Sequence, residues 1–195
     1  MMSIQQSASG WVWGDLRPLS YDVIMIDPPW KFANYSSAGE KKNPSSQYRC
    51  LPIADIKAFP VGMLARADCL LWMWATNPML PQAIEVLGAW GFKFVTAGTW
   101  VKTTKHGKLA FGTGYVLRSA NEPFLIGSVG SPLTANNIRS VIMAPLRENS
   151  RKPDEAYETA EKLVPGALRR ADIFSREDRP GWEAFGDEAG KFNGV

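Results

Sequence analysis

Histidine and cysteine are almost missing from this chain of 195 residues, which has one histidine, His106, and two cysteines, Cys50 and Cys69. The cysteines form no CxxC pair. That inventory argues against a Cys/His zinc site and against a Cys–His nucleophile, so no metal is expected. Long apolar runs are missing too. The densest, CLLWMWA (69–75), is far short of a bilayer-crossing segment. The opening MMSIQQSASG lacks the basic-then-apolar layout of a secretion signal. There is no internal repeat, no low-complexity tract and no GxGxxG-like loop ahead of Asp27. The GTG at 112–114 lies in a basic loop and opens no helix, which makes it a poor phosphate cradle. These absences point to a soluble, reduced, cytoplasmic protein with no membrane segment.

What is present suits one compact α/β domain over residues 1–195, with residues 1–10 flexible, since 45% of the chain is apolar. The net charge of +3 and the pI of about 8.9 permit a polyanionic partner without requiring one. Of the 8 tryptophans, most are expected in the core or its rim and some against stacked bases. Short apolar runs at 22–26, 69–75, 93–101, 123–127, 140–144 and 171–174 read as strands buried on both faces. Helical patterns lie at 78–90, with Asn77 as cap and Gly91 as stop, and at 153–164, with Pro153 as the first helical residue and Pro165-Gly166 as the end. Strands alternating with helices predict a mostly parallel twisted sheet with helices on both faces. In such sheets ligands sit beyond the carboxyl ends of the strands, and Asp27 lies at one.

Two segments read as mobile basic loops. Residues 31–50 carry Lys31, Lys41, Lys42 and Arg49 against Glu40, and residues 102–118 carry Lys102, Lys105, Lys108 and Arg118 with no acid. Ordinary solvated loops would look the same.

The stretch DVIMIDPPW (22–30) runs a buried strand into an acid, two prolines and a tryptophan. Two prolines exclude an ordinary βα turn that needs backbone N–H groups. They stiffen the chain and leave carbonyl oxygens without a neighbouring N–H. The stretch therefore presents two acceptors, the Asp27 carboxylate and a proline carbonyl, beside the flat face of Trp30. That set suits an aromatic amine, which has two N–H donors on a planar ring, and not phosphate, which needs donors. A strained structural turn, with Trp30 as a core residue, is the competing reading.

DPPW (27–30) resembles the signature of the MT-A70 family of S-adenosylmethionine-dependent adenine-N6 methyltransferases. WVWGDLRPLSYDVIMIDPPW (11–30), LLWMWATN, LGAWGFKFVTAGTWVKT, NEPFLIGSVG, SRKPDEAYETAEKLVPG and ADIFSREDRPGWEAFGDE follow it in the family's order, across roughly residues 11 to 188. DPPW alone is moderately specific; DPPW, WVKT, KPDE and IFSR…GW in that order are strongly specific. The resemblance implies a Rossmann-like methyltransferase fold with circularly permuted motif order, the cofactor strand being ADIFSR near the C-terminus.

The resemblance also implies roles. Asp27, Pro28, Pro29 and Trp30 are the catalytic tetrapeptide. Hydrogen bonds from the adenine amine to Asp27 and the Pro28 carbonyl are expected to turn its lone pair toward the sulfonium methyl for one in-line displacement. Trp30 or Tyr35 would hold a flipped-out base. Asp15, Leu16, Asp27, Lys152, Phe174, Arg176, Asp187 and Glu188 match cofactor-binding positions, with Lys152 as partner of the methionine carboxylate. Asp187 and Glu188 stand where the family usually has a pair containing amides, and an acid lacks the amide's donors. Glu122 matches a glutamate near the substrate, and an ion pair is an equal reading of it. No role is carried onto residues 177–181, where the loop is shorter than in eukaryotic messenger-RNA enzymes.

Lys41, Lys42, Lys105 and Lys108 are expected to grip phosphates on either side of the base. DNA is the expected partner and S-adenosylmethionine the expected cofactor, leaving S-adenosylhomocysteine, in a monomer or homodimer. The alternatives are an RNA adenine-N6 methyltransferase, a cytosine enzyme as a more distant reading, and a catalytically silent nucleic-acid-binding subunit.

Overall fold

The computed structural model describes residues 10–30, 50–114, 116–148 and 151–193. Seven strands form one sheet: β1 (Tyr21–Ile26), β2 (Ala65–Trp74), β3 (Lys93–Thr103), β4 (Asn121–Val129), β5 (Val141–Pro145), β6 (Arg170–Ile173) and β7 (Glu183–Phe185). Their spatial order is β5-β3-β4-β2-β1-β6-β7. β1 pairs in parallel with β2 and β6, β6 with β7, and β3 with β5. β4 runs antiparallel between β2 and β3. The carboxyl ends of the six co-directional strands therefore share one sheet edge with the start of β4.

Among the described residues three α-helices cover the sheet: α1 (Ile53–Ala58), α2 (Leu80–Ala89) and α3 (Asp154–Leu163). α1 and α2 put Ile56, Ala83, Val86 and Leu87 against Ile24, Ile26, Leu71, Met73 and Ile173. α3 puts Ala156, Tyr157 and Ala160 on the opposite face, with Val23, Met25, Trp72 and Trp74. Alternate β1 residues thus feed two cores, which is why the strand is apolar without a break. The architecture is the expected α/β, Rossmann-like one. Among the described residues no helix is long and apolar enough to cross a membrane.

The structure departs from the sequence reading at the sheet's far side. β3 was expected to be buried on both faces, yet its first five residues, Lys93 to Ala97, are exposed. β5, at the sheet edge, alternates exposed and buried instead of being buried throughout. Asn77 does not cap α2; it opens a short 3-10 turn (Asn77–Met79), and Met79 holds the cap position. Pro153 is the cap residue of α3, one place before the helix starts.

Aromatic packing on the α3 side forms the floor beneath the sheet's carboxyl edge. Trp72 and Phe124 stack at 3.9 Å between ring centroids and 21° between planes. A side chain at Gly98 would put its first carbon 2.2 Å from the Phe124 ring, so that position must stay small. Trp74 meets Phe124 and Trp100 edge-on at 5.6 and 6.3 Å.

Candidate active site

Asp27 is the first residue past β1. Its backbone N–H still donates to the Ile173 carbonyl of β6 (3.2 Å), so the sheet itself fixes where the carboxylate emerges. The prolines behave differently from the sequence reading, which left their carbonyls without N–H partners. The Pro28 carbonyl accepts the Trp30 N–H at 2.8 Å, and the Pro29 carbonyl accepts the Leu51 N–H at 2.9 Å. Pro29 bends the chain so that the amide two residues on reaches back, a three-residue turn. A carbonyl oxygen has two lone pairs, so Pro28 keeps one acceptor position.

Trp30 is placed in the core. It is 4% exposed, and its indole N–H donates to the Trp74 carbonyl at 3.0 Å. The expectation that it stacks on a flipped base is corrected: almost none of its ring is open to a ligand. Its role is to anchor the bend after Asp27. The same holds for most of the eight tryptophans. Trp13, Trp30, Trp72, Trp74, Trp90, Trp100 and Trp182 are buried and offer no open stacking face; Trp11 is half-buried.

A chain of alternating charges crosses the sheet edge. Lys152, just before α3, is 7% exposed, and its Nζ lies 2.9 Å from Asp27 Oδ2 and 2.6 Å from Glu122 Oε1. Glu122, at the start of β4, reaches Lys102 Nζ of β3 at 2.7 Å through Oε2. The two ammonium groups lie over tryptophan rings, Lys152 over Trp74 at 5.3 Å and Lys102 over Trp100 at 4.8 Å. Buried charges persist only when paired, and here the two buried members, Lys152 and Glu122, each have partners on two sides.

The charge states follow. Burial opposes the Lys152 charge, but Asp27 and Glu122 outweigh it and raise its pKa, so it stays an ammonium. Burial opposes the Glu122 charge too; Lys152 and Lys102 overcome it and hold the carboxyl below its usual range. Asp27 is pushed up by its enclosure and by the Glu122 charge, against the pull of Lys152. Its side chain remains about a third exposed, at 35%. It is the member of the chain that faces outward.

A shallow pocket opens beside it, lined by Asp27, Lys152, Trp74, Tyr157, Asp172 and Phe174, and by Arg151, Ser175, Arg176, Glu177 and Arg179. Asp172, 4% exposed, accepts the Tyr157 hydroxyl at 2.9 Å. Burial pushes its carboxyl up to about 7, against hydrogen bonds from Ser175 and Tyr157. Phe174 follows β6 with φ of 61°, in the left-handed region where a bulky side chain is rare. Such strain gathers at functional sites. Gly186 makes room for it: a side chain there would meet the Ser175 carbonyl at 2.8 Å. The 177–179 segment is strapped to the approach to α3. Arg151 is bonded to Glu177, and Arg179 to Asp154 and Glu177.

Of the residues expected to bind a cofactor, Asp27, Lys152, Phe174 and Arg176 line this pocket. Arg176 Nε pairs with Glu188 Oε2 at 2.9 Å, so two expected contacts engage each other. Leu16 has its side chain in the core, while Asp15 and Asp187 are exposed. Lys105 and Lys108 are exposed on a tight turn beyond β3. Lys102 was grouped with that basic loop, but it and Thr103 belong to β3, and its charge is matched by Glu122. Tyr35, Lys41 and Lys42 lie outside the described residues. The sequence reading missed Asp172, Tyr157, Ser175, Arg151, Glu177 and Arg179. The one signal available was the lone acid in the apolar run ADIF. Among the described residues no group of three or more His, Cys, Asp or Glu is placed to hold a metal ion.

Known proteins resemble this chain over most of its length. A probable N(6)-adenosine-methyltransferase, MT-A70-like, of Oryza sativa subsp. japonica is 30% identical over 98% of this chain and 27% of its own length. The type II methyltransferase M.MunI of Mycoplasma sp is 26% identical over 91% of this chain and 81% of its own length. The N(6)-adenosine-methyltransferase catalytic subunit METTL3 of Homo sapiens is 29% identical over 91% of this chain and 31% of its own length. The chain thus spans about a quarter to a third of the adenosine enzymes. The MT-A70 family profile matches residues 21–188, from the first strand to the glutamate that pairs with Arg176, and the chain belongs to that family.

Proposed function

We propose that the protein transfers a methyl group from S-adenosylmethionine to the N6 amine of adenine in DNA. The observation that carries this reading is the Asp27 carboxylate, held by Lys152 at 2.9 Å yet about a third exposed (35%), at the mouth of the pocket.

The pocket residues fit such a cofactor. Its amino-acid tail is a zwitterion and needs one cation and one acceptor. Lys152 has three N–H donors; Asp27 and Glu122 take two, leaving one for a carboxylate. Asp172 is the pocket's buried acceptor for an ammonium. Arg179 and Trp74 also line the pocket, and their Nε and Nε1 are buried donors with no hydrogen-bond partner. Phe174 offers a flat apolar face beside them.

When bound, the cofactor supplies an electrophilic methyl on a sulfonium. The residues of this chain prepare the amine to receive it. Asp27 accepts one N–H and the remaining lone pair of the Pro28 carbonyl accepts the other. The nitrogen lone pair, no longer drawn fully into the ring, turns toward the methyl. The bound cofactor would supply the methyl, a new C–N bond replacing its C–S bond with a thioether as leaving group. The methylated ammonium then loses one proton, which Asp27 can accept. Alignment and charge placement do the catalytic work. A target inside a duplex must first leave the stack.

DNA is favoured by extent: the chain covers 81% of the type II methyltransferase. RNA is the second reading, supported by the adenosine-methyltransferase names of the other relatives. Tritiated-methyl transfer to matched DNA and RNA oligonucleotides tests both. Label in DNA is the expected result; label confined to RNA overturns the DNA reading, and label in neither overturns both.

A further inference from the structure

We propose that Phe111 is a stacking surface for an unpaired nucleobase next to the target base. This rests on the nucleic-acid reading above and assigns it a second contact point.

Phe111 is 81% exposed, in a segment that also exposes Leu109, Val116 and Leu117, and an exposed group of large apolar side chains is informative where a single one is not. Its backbone, by contrast, is held on both sides. Ala110 donates to the Lys102 carbonyl at 2.8 Å, and Gly112 donates to the Ser119 carbonyl at 2.9 Å. Ala110 is buried, so the alternation turns Phe111 outward from a fixed base. A backbone already fixed on both sides needs no further ordering when the ring is contacted, which favours a contact role.

The position is equally specific. The segment leaves the carboxyl end of β3, the sheet edge that carries Asp27. Ala110 bonds to the backbone of Lys102, whose side chain begins the charge chain through Glu122 and Lys152 to Asp27. The surface beside Phe111 is cationic. The Arg118 guanidinium lies 5.4 Å from the ring centroid, and Lys105 and Lys108 are exposed on the adjoining turn. Leu109, Val116 and Leu117 are exposed nearby. A protein partner would favour a contact core low in lysine. A flat ring ringed by cations matches a nucleic acid strand, which offers a base face and phosphates together.

The test is fluorescence anisotropy with fluorescein-labelled single-stranded oligonucleotides at several KCl concentrations, using the full chain, Phe111→Ala and Phe111→Trp. Phe111→Ala is expected to weaken binding by about 5- to 100-fold, the range for one stacked base. The loss should be the same at every salt concentration, because no charge is removed. Phe111→Trp should restore affinity. Unchanged affinity in Phe111→Ala overturns the proposal. So does a changed oligomeric state by sedimentation with unchanged affinity, which makes the ring a contact between copies. Absence of oligonucleotide binding by the unaltered chain overturns the nucleic-acid reading itself, and that failure is visible before any variant is compared.

Discussion

Lys152 Nζ stands between two carboxylates, 2.9 Å from Asp27 and 2.6 Å from Glu122, and it is the only one of the three whose side chain is under a tenth exposed, at 7%. The lysine is therefore more than a hook for a ligand. It sets the position and the charge of Asp27 before anything binds.

The first prediction concerns folding. Lys152→Met leaves two clustered acids without their shared cation. Breaking a buried pair in this way costs about 3–5 kcal/mol. Denaturant unfolding at neutral pH should show a loss near the lower end of that range, since Asp27 is partly solvated. Lys152→Arg should recover most of the stability. A methionine variant as stable as the parent would show that the lysine's charge is dispensable.

The second separates Glu122 as an electrostatic partner from Glu122 as packing. Its negative charge raises the Asp27 pKa, and Asp27 must be ionised to accept the amine's proton. Activity is then lost as pH falls through that raised value. Glu122→Gln removes the repulsion, so the acid limb of kcat/KM should move to lower pH, whatever happens to the maximum rate. A role in packing alone would lower the rate and leave the limb in place.

The six longer strands were legible in the sequence because each contains a short apolar run, and DPPW marked the working end of β1. α1 was not legible: six residues are too few for a helical period to show. β7, at three residues, carries less still. Within the site, single-residue chemistry was readable and pairing was not. Nothing in the spacing of Lys102, Glu122, Lys152 and Asp27 announces that one sheet edge joins them. Trp30 misled because an exposed and an anchored tryptophan look alike in a motif. Asp172 was overlooked inside a strand read only for its hydrophobicity.

Asp172 gives the third prediction. Its pKa of about 7 in the folded protein is above the value of 3.8 it has when exposed. Between those values the unfolded chain releases the proton and the folded one keeps it. Stability is therefore greatest below the lower value, falls as pH rises, and levels off above about 7. Asp172→Asn keeps an acceptor for Tyr157 and removes the titration. It should flatten that slope and stabilise the protein at pH 8 by roughly 2–4 kcal/mol. Thermal unfolding across pH checks it; an unchanged slope would place the titrating group elsewhere.

The exposed turn beyond β3 gives the fourth. Lys105→Ala with Lys108→Ala should weaken oligonucleotide binding and make the plot of log Kd against log salt shallower by about 1.4–1.8, one phosphate contact being worth about 0.7–0.9. Equal slopes for parent and variant would remove both lysines from the phosphate path.

The most direct measurement is single-turnover methyl transfer to adenine by Asp27→Ala, with S-adenosylmethionine binding followed in parallel by calorimetry. Loss of one placed acceptor in a water-poor site costs about 100- to 1,000-fold in rate. A fall of that size in a folded protein that still takes up the cofactor is the predicted result. Full-speed transfer by the alanine variant would contradict the account at its centre.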